Sequence, residues 1–231
     1  MLFIPGFMQR GDAWRPVAEL LPERYPSRML DHAEHTFEGR MAEILSSGAR
    51  VLVGYSLGGR LALRAALRSP DSFAAVVLVG STAGIDEGPM RVTRAEADER
   101  LASWIEAASM EDVVSVWERQ PLFADQSDAL VEAQRPGRLS QDQRALALLL
   151  RTAGQGVLEP VWHELSQLDL PVLAIAGARD DGYTRAAKRI ASTAPHGRAA
   201  IVEEAGHAPQ LQRPEEVARL LTEFLDQALQ R

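Results

Sequence analysis

The chain contains no cysteine. This excludes a disulfide scaffold, cysteine-ligated metals and thiol chemistry. It also lacks long apolar runs: stretches such as Ala74 to Val79 and Leu146 to Leu150 fall far short of the ~20 residues that cross a bilayer. No membrane association is expected. The N-terminus, MLFIPGFMQRG, has no basic segment ahead of its apolar residues and no small-residue cleavage site, so no signal peptide is expected and a cytoplasmic location is. Basic residues are the minority, 25 against 32 acidic, for a formal charge of -7. A nucleic-acid partner, which calls for a basic surface, is therefore not expected, and any anion site must be local. No phosphate-binding glycine-rich loop and no metal-ligand spacing occur, so neither nucleotide, metal nor other cofactor is expected.

What remains is the composition of an ordinary globular protein: 231 residues, 46% hydrophobic, 25% charged, 17 Gly and 13 Pro, enough for a sizeable core. Short β-rich runs alternate with helical patterns, the signature of a mostly parallel sheet flanked by helices. Strands are expected at Leu2 to Ile4, Ser27 to Leu30, Arg50 to Tyr55, Ala74 to Gly80, Val172 to Ala176 and Ala199 to Val202. Helices are expected at Asp12 to Leu21, Glu38 to Ser47, Leu57 to Arg68, Ala186 to Thr193 and Pro214 to Leu229. In the last, Val217, Leu220, Leu221, Phe224 and Leu225 repeat at helical spacing behind a first-turn proline. The interval between the strands at Ala74 and Val172 is longer than one crossover needs. It reads as a helical cap, about residues 86–160, made of short helices broken at Pro121, Pro136, Gly137, Gly154 and Gly156, within a single domain over 1–231.

Gly54-Tyr55-Ser56-Leu57-Gly58 lies directly between an expected strand and an expected helix. Small residues on both sides of a serine permit a sharp turn that lifts its hydroxyl out of the sheet. A serine hydroxyl is a weak nucleophile or base until an imidazole takes its proton and a carboxylate holds that imidazole. His207 follows the last strand and Asp180 follows the strand at Val172. Both should project from the same sheet edge as Ser56, in the order Ser, Asp, His. Asp181 is a competing acid, and Asp180 is preferred because it is nearer the strand end. His32, His35, His163 and His196 lack a motif and are expected to be surface or capping residues. Oxyanion donors are expected from the backbone N–H groups of Leu57, after the serine, and of Phe7, in the loop after the first strand.

These residues, Val53 to Arg60 with Gly177-x-x-Asp180 and Ala205-Gly206-His207, resemble the α/β-hydrolase superfamily over almost the whole chain. Gly-Tyr-Ser-Leu-Gly-Gly-Arg, together with Trp117-Glu118-Arg119-Gln120-Pro121-Leu122-Phe123, is similar to the family of 2-succinyl-6-hydroxy-2,4-cyclohexadiene-1-carboxylate synthases of menaquinone biosynthesis. The resemblance implies a Ser-His-Asp site that abstracts a proton from carbon and drives elimination of pyruvate from an anionic cyclohexene carboxylate. It also implies arginines gripping the substrate's carboxylates: Arg60 by motif, Arg94 four residues before Asp98, and Arg138 twenty-one after Trp117. Tyr55 and Trp117 would line the same pocket. The chain has Pro5-Gly6-Phe7 where the family usually has His-Gly-Phe, and only Leu30-Asp31-His32-Ala33 where it has Asp-x-Pro-Gly-His-Gly-x-Ser. The family's first two strands have no counterpart before Met1, so the sheet is expected to lack them. Two other classes compete: a carboxylesterase or thioesterase working through an acyl-serine, and a ligand receptor without catalysis. The partner in each is a small molecule, anionic in the first, and the sequence sets no oligomeric state.

Overall fold

The computed structural model describes residues 1–229. Six strands, β1 (Leu2–Ile4), β2 (Arg28–Met29), β3 (Val51–Tyr55), β4 (Ala75–Val79), β5 (Pro171–Gly177) and β6 (His196–Val202), form one sheet in the order β2-β1-β3-β4-β5-β6. Every pairing between them is parallel.

A parallel sheet must be covered on both faces, and the two-residue period of the strands supplies both. Leu2, Ile4, Leu52, Val76, Leu78, Val172 and Ala174 point into one core. Phe3, Val51, Val53, Tyr55, Val77, Val79, Leu173 and Ile175 point into the other. The helices are α1 (Arg15–Ala18), α2 (Phe37–Leu45), α3 (Leu57–Arg68), α4 (Gly88–Ala107), α5 (Met110–Glu118), α6 (Asp128–Leu139), α7 (Gln143–Ala153), α8 (Trp162–Leu165), α9 (Asp181–Thr193), α10 (Pro209–Gln212) and α11 (Pro214–Ala228). Residues of α2, α3, α8 and α9 fill the first core, and those of α1 and α11 the second. None is long and apolar enough to cross a membrane.

Helices α4 to α8 all fall between β4 and β5. Ala102 and Ile105 of α4, Val113 and Val114 of α5 and Leu146, Ala147 and Leu150 of α7 make a third core, which also takes in Met8 of the loop after β1. The insertion is thus anchored on the loop that carries Phe7. It differs in detail from expectation. α4 is one long helix, and Pro136 and Gly137 sit inside α6 instead of ending it. Pro136 and Glu132 are both exposed, so the carbonyl that Pro136 leaves without a donor can bond water.

Other boundaries also move. The helix expected over Asp12 to Leu21 is a 3-10 turn, Gly11–Trp14, followed by the short α1; Pro16 supplies no N–H to a continuous helix. α9 begins at Asp181, earlier than expected, because the Asp180 side chain accepts the Tyr183 N–H and caps it.

Candidate active site

Ser56 sits between the last residue of β3 and the first of α3 with φ 49° and ψ -110°, a left-handed conformation that is strained for a residue with a Cβ. Its surroundings over-determine it. Ser56 N donates to Val79 O at 2.8 Å, and Ser56 O accepts from Arg60 N at 3.1 Å and from Ser81 Oγ at 2.9 Å. A Cβ at Gly54 would overlap the Gly58 carbonyl, and one at Gly58 would overlap the carbonyls of Ile4 and Pro5. Both glycines are therefore demanded by close backbone approach, which explains the spacing of the motif.

His207 and Asp180 reach the same sheet edge from the loops after β6 and β5. The Asp180 carboxylate divides its oxygens: Oδ1 accepts the Tyr183 N–H at 3.1 Å, and Oδ2 meets His207 Nδ1 at 2.9 Å. His207 Nε2 lies 3.3 Å from Ser56 Oγ. Burial raises the affinity of the Asp180 carboxyl for a proton, but the bonds from His207 and the Tyr183 N–H outweigh it and hold the group below the ordinary carboxylate range. At neutral pH it is an anion facing Nδ1, which stations a proton there and leaves Nε2 free to accept one. The neighbouring Asp181 is exposed in the first turn of α9. Around the imidazole stand the rings of Tyr183 at 4.4 Å, Tyr55 at 5.4 Å and Phe123 at 6.2 Å between centroids.

One cavity is lined by Ser56, His207, Phe7, Leu57, Tyr55, Trp117 and the three arginines. The backbone N–H of Leu57, at the start of α3, and that of Phe7 donate to no acceptor among the described residues. Trp117 packs on Phe7 at 5.1 Å and on Phe123 at 5.6 Å, joining the insertion to the β1 loop over the serine.

The arginines differ in how they are held. Arg60 is buried, its Nε has no partner, and the one hydrogen bond of its guanidinium among the described residues is a long 3.4 Å contact from Nη2 to Ala153 O. Burial lowers its pKa. Arg138 is also buried, with Nη1 3.1 Å from Glu118 Oε1 and Nη2 2.9 Å from Gln134 Oε1, and its Nε too is unpaired. Arg94 is half-exposed and bonds Asp98 Oδ1 at 2.8 Å and Gln155 Oε1 at 3.2 Å. Arg60 and Arg138 both line the cavity and each keeps a buried Nε without a partner, so their charge is costly unless an anion in the cavity offsets it.

Sequence reasoning missed Tyr183, Phe123, Gln134 and Gln155, which also line the cavity. Each of the first three carried a signal: Tyr183 lies three residues past the chosen acid, within the turn that Asp180 caps, Phe123 ends the Trp117–Phe123 motif, and Gln134 lies one helical turn before Arg138. His32 is a correction. It is buried against Glu43 of α2, Nδ1 to Oε2 at 2.5 Å, and its Nε2 is without a partner. Burial, with the Arg40 charge adding to it, lowers its pKa to about 4. The contact joins the loop before α2 to a residue of that helix eleven positions on, a spacing that follows neither the helix nor the strand period, so no local pattern announced it. His35, His163 and His196 are exposed.

The family model described as "Alpha/beta hydrolase family" matches residues 1–220. The putative 2-succinyl-6-hydroxy-2,4-cyclohexadiene-1-carboxylate synthase of Bacillus subtilis is 33% identical over 177 residues, covering 75% of this chain and 65% of the relative, just under two thirds of its length. The synthase of the same name from Enterobacter sp. is 28% identical over 247 residues, covering 97% and 91%. The solved structure of MenH from S. aureus superposes with a TM-score of 0.93 at 24% identity, over 99% of this chain and 93% of that one, a likeness of fold.

Proposed function

This chain belongs to the alpha/beta hydrolase family, and from that premise we propose that it is a synthase eliminating pyruvate from an anionic cyclohexene carboxylate of menaquinone biosynthesis. The observation that carries the reading is the arginine cluster: Arg60, Arg94 and Arg138 line the cavity of Ser56 and His207, with unpaired nitrogens on the two that are buried. A substrate bearing several carboxylates can compensate the charge of these guanidinium groups through charge-assisted bonds. A neutral ester cannot. Similarity to synthases whose name carries a succinyl group and a ring carboxylate adds to this reading.

In the proposed reaction, His207 Nε2 takes the Ser56 proton, and Ser56 Oγ removes a proton from the ring carbon. The C–H electrons form the second ring double bond as the enolpyruvyl C–O bond breaks. Its electron pair leaves on the enolate of pyruvate, which takes up the proton held by the His207 imidazolium and departs as pyruvate, leaving Ser56 protonated and His207 neutral. Asp180 keeps the imidazole in its tautomer and stabilises the imidazolium. The N–H groups of Phe7 and Leu57 face the developing oxyanion. The insertion, acting as a cap, holds Trp117 and two of the arginines over the serine. The route uses neither metal nor cofactor, and a cytoplasmic setting belongs to it as to a biosynthetic step on a charged small molecule.

The test is purified protein given the enolpyruvyl cyclohexene carboxylate, with pyruvate release followed by a coupled dehydrogenase, beside a short-chain nitrophenyl ester. Pyruvate release with much the higher kcat/KM is expected. Ester turnover without pyruvate release would replace this reading with the acyl-serine esterase, which needs the same triad but no arginines.

A further inference from the structure

His207 is carried by a loop, residues 203–208, that makes a tight turn at Glu204, φ 58°. The side chain it presents lies 3.3 Å from Ser56 Oγ, at the long end of hydrogen-bond range. Small displacements of the loop would therefore break the contact. What restrains it comes partly from outside the sheet. Gly206 N donates to Gln212 Oε1 at 2.9 Å, and Gln212 Nε2 donates to Asp125 Oδ2 at 3.0 Å and to Asp125 O at 3.5 Å. A backbone N–H can only donate and a carboxylate can only accept, so the orientation of this amide is dictated at both ends.

Asp125 belongs to the insertion, in the turn after the Pro121–Phe123 3-10 helix. Its carboxylate lies so close to the backbone beside His207 that a Cβ at Gly206 would overlap it. Two residues earlier, Phe123 stands 6.2 Å from the imidazole and 5.6 Å from Trp117.

We propose that Asp125 and Gln212 form a clasp that ties the His207 loop to the helical insertion and holds the imidazole in register with Ser56. Both are positioning residues: they act through the backbone of Gly206. The clasp couples the loop that carries the base to the insertion that carries Trp117 and two of the cavity's arginines, so the placement of the insertion and the alignment of the base share one constraint. Without it, the loop keeps its place in the fold and loses its alignment. The proposal rests on the reading of Ser56 and His207 as an activated pair and is independent of which substrate they serve.

The experiment uses a fluorophosphonate and needs no natural substrate. Ser56 Oγ attacks phosphorus, the new O–P bond replaces P–F, fluoride leaves, and the serine proton passes to His207. The second-order labelling rate is read by intact mass on wild type, Gln212→Leu, Asp125→Ala, the double variant and Asp125→Asn, each well below its melting temperature. Misalignment by a fraction of an ångström to an ångström costs rate steeply, so each of the first two variants should label about tenfold more slowly. The double variant should be no slower than either, because one clasp is broken once. Asp125→Asn retains an acceptor oxygen and should label close to wild type. Wild-type rates in Gln212→Leu and Asp125→Ala, or a double loss equal to the product of the two, would overturn the clasp and leave the Ser56–His207 pair standing. A wild type that fails to label would overturn that pair, and the clasp with it.

Discussion

Arg60→Met should make the protein more stable and a poorer enzyme in one step. Arg60 is only 8% exposed, and its guanidinium has an unpaired Nε and keeps a single 3.4 Å hydrogen bond among the described residues. The Asp98 carboxylate in the same cavity is engaged by Arg94 at 2.8 Å. Exchanging buried charge for an apolar side chain of similar volume is stabilising by about 1–4 kcal/mol where the charge is poorly compensated. The Arg94 charge in the same cavity repels Arg60 at least as strongly as the Asp98 carboxylate attracts it, so the full range of about 1–4 kcal/mol applies, or a rise of roughly 2–16 °C in melting temperature for a chain of this size. Against this, the lost charge-assisted contact to a substrate carboxylate is worth about 1.5–3 kcal/mol. That is roughly a tenfold to hundredfold fall in kcat/KM for the synthase reaction. Hydrolysis of a neutral ester by the same triad should scarcely change. Arg60→Lys keeps the charge and loses the planar fork, so it should recover part of the activity and gain little stability. Calorimetric melting and kinetics on both substrates decide the matter. A lower melting temperature, with equal losses on the two substrates, would show that Arg60 supports the fold and would refute the reasoning.

Ser56→Ala and His207→Ala should each abolish nearly all turnover, and the double variant should be no worse, because the pair moves one proton; losses that multiply would separate their roles. Asp180→Asn should be severely impaired with its fold intact, since Oδ2 holds His207 Nδ1 at 2.9 Å, while the exposed Asp181→Asn should be mild; the reverse order would exchange the two. His32 has a pKa of about 4 in the folded protein against about 6.5 for a free imidazole. The folded value being the lower, its neutral form contributes stability fully above about pH 6.5, and that contribution is lost as pH falls through about 4. The melting temperature should drop across this interval, and His32→Gln should flatten the drop; an unchanged slope in the variant would place the titration elsewhere.

The parallel sheet was legible because it rests on local chemistry. Apolar runs such as Val51 to Val53 and Ala75 to Val79 are short, β-branched and bounded by turn residues, and the amphipathic face of α11 repeats at helical spacing. The serine turn was legible for a harder reason: Gly54 and Gly58 admit no Cβ, so the backbone crossing writes itself into the composition. Strand ends also announced Asp180 and His207, since loops after parallel strands share one edge of the sheet.

Contacts between distant segments were not legible, because each partner is chosen by packing and leaves no periodic trace. The burial of His32 against Glu43, the pairing of Arg138 with Glu118, and the link from Asp125 through Gln212 to Gly206 all belong to this class. Pro136 within α6 belongs there too: an exposed helix face lets water take the orphaned carbonyl, and exposure is a property of the assembled molecule. The sequence by itself determined the sheet, the strained serine and the order of the residues around it. Only the tertiary structure decided which cations are left unsatisfied in the cavity, because desolvation depends on everything that surrounds a charge and no single stretch of chain contains that information.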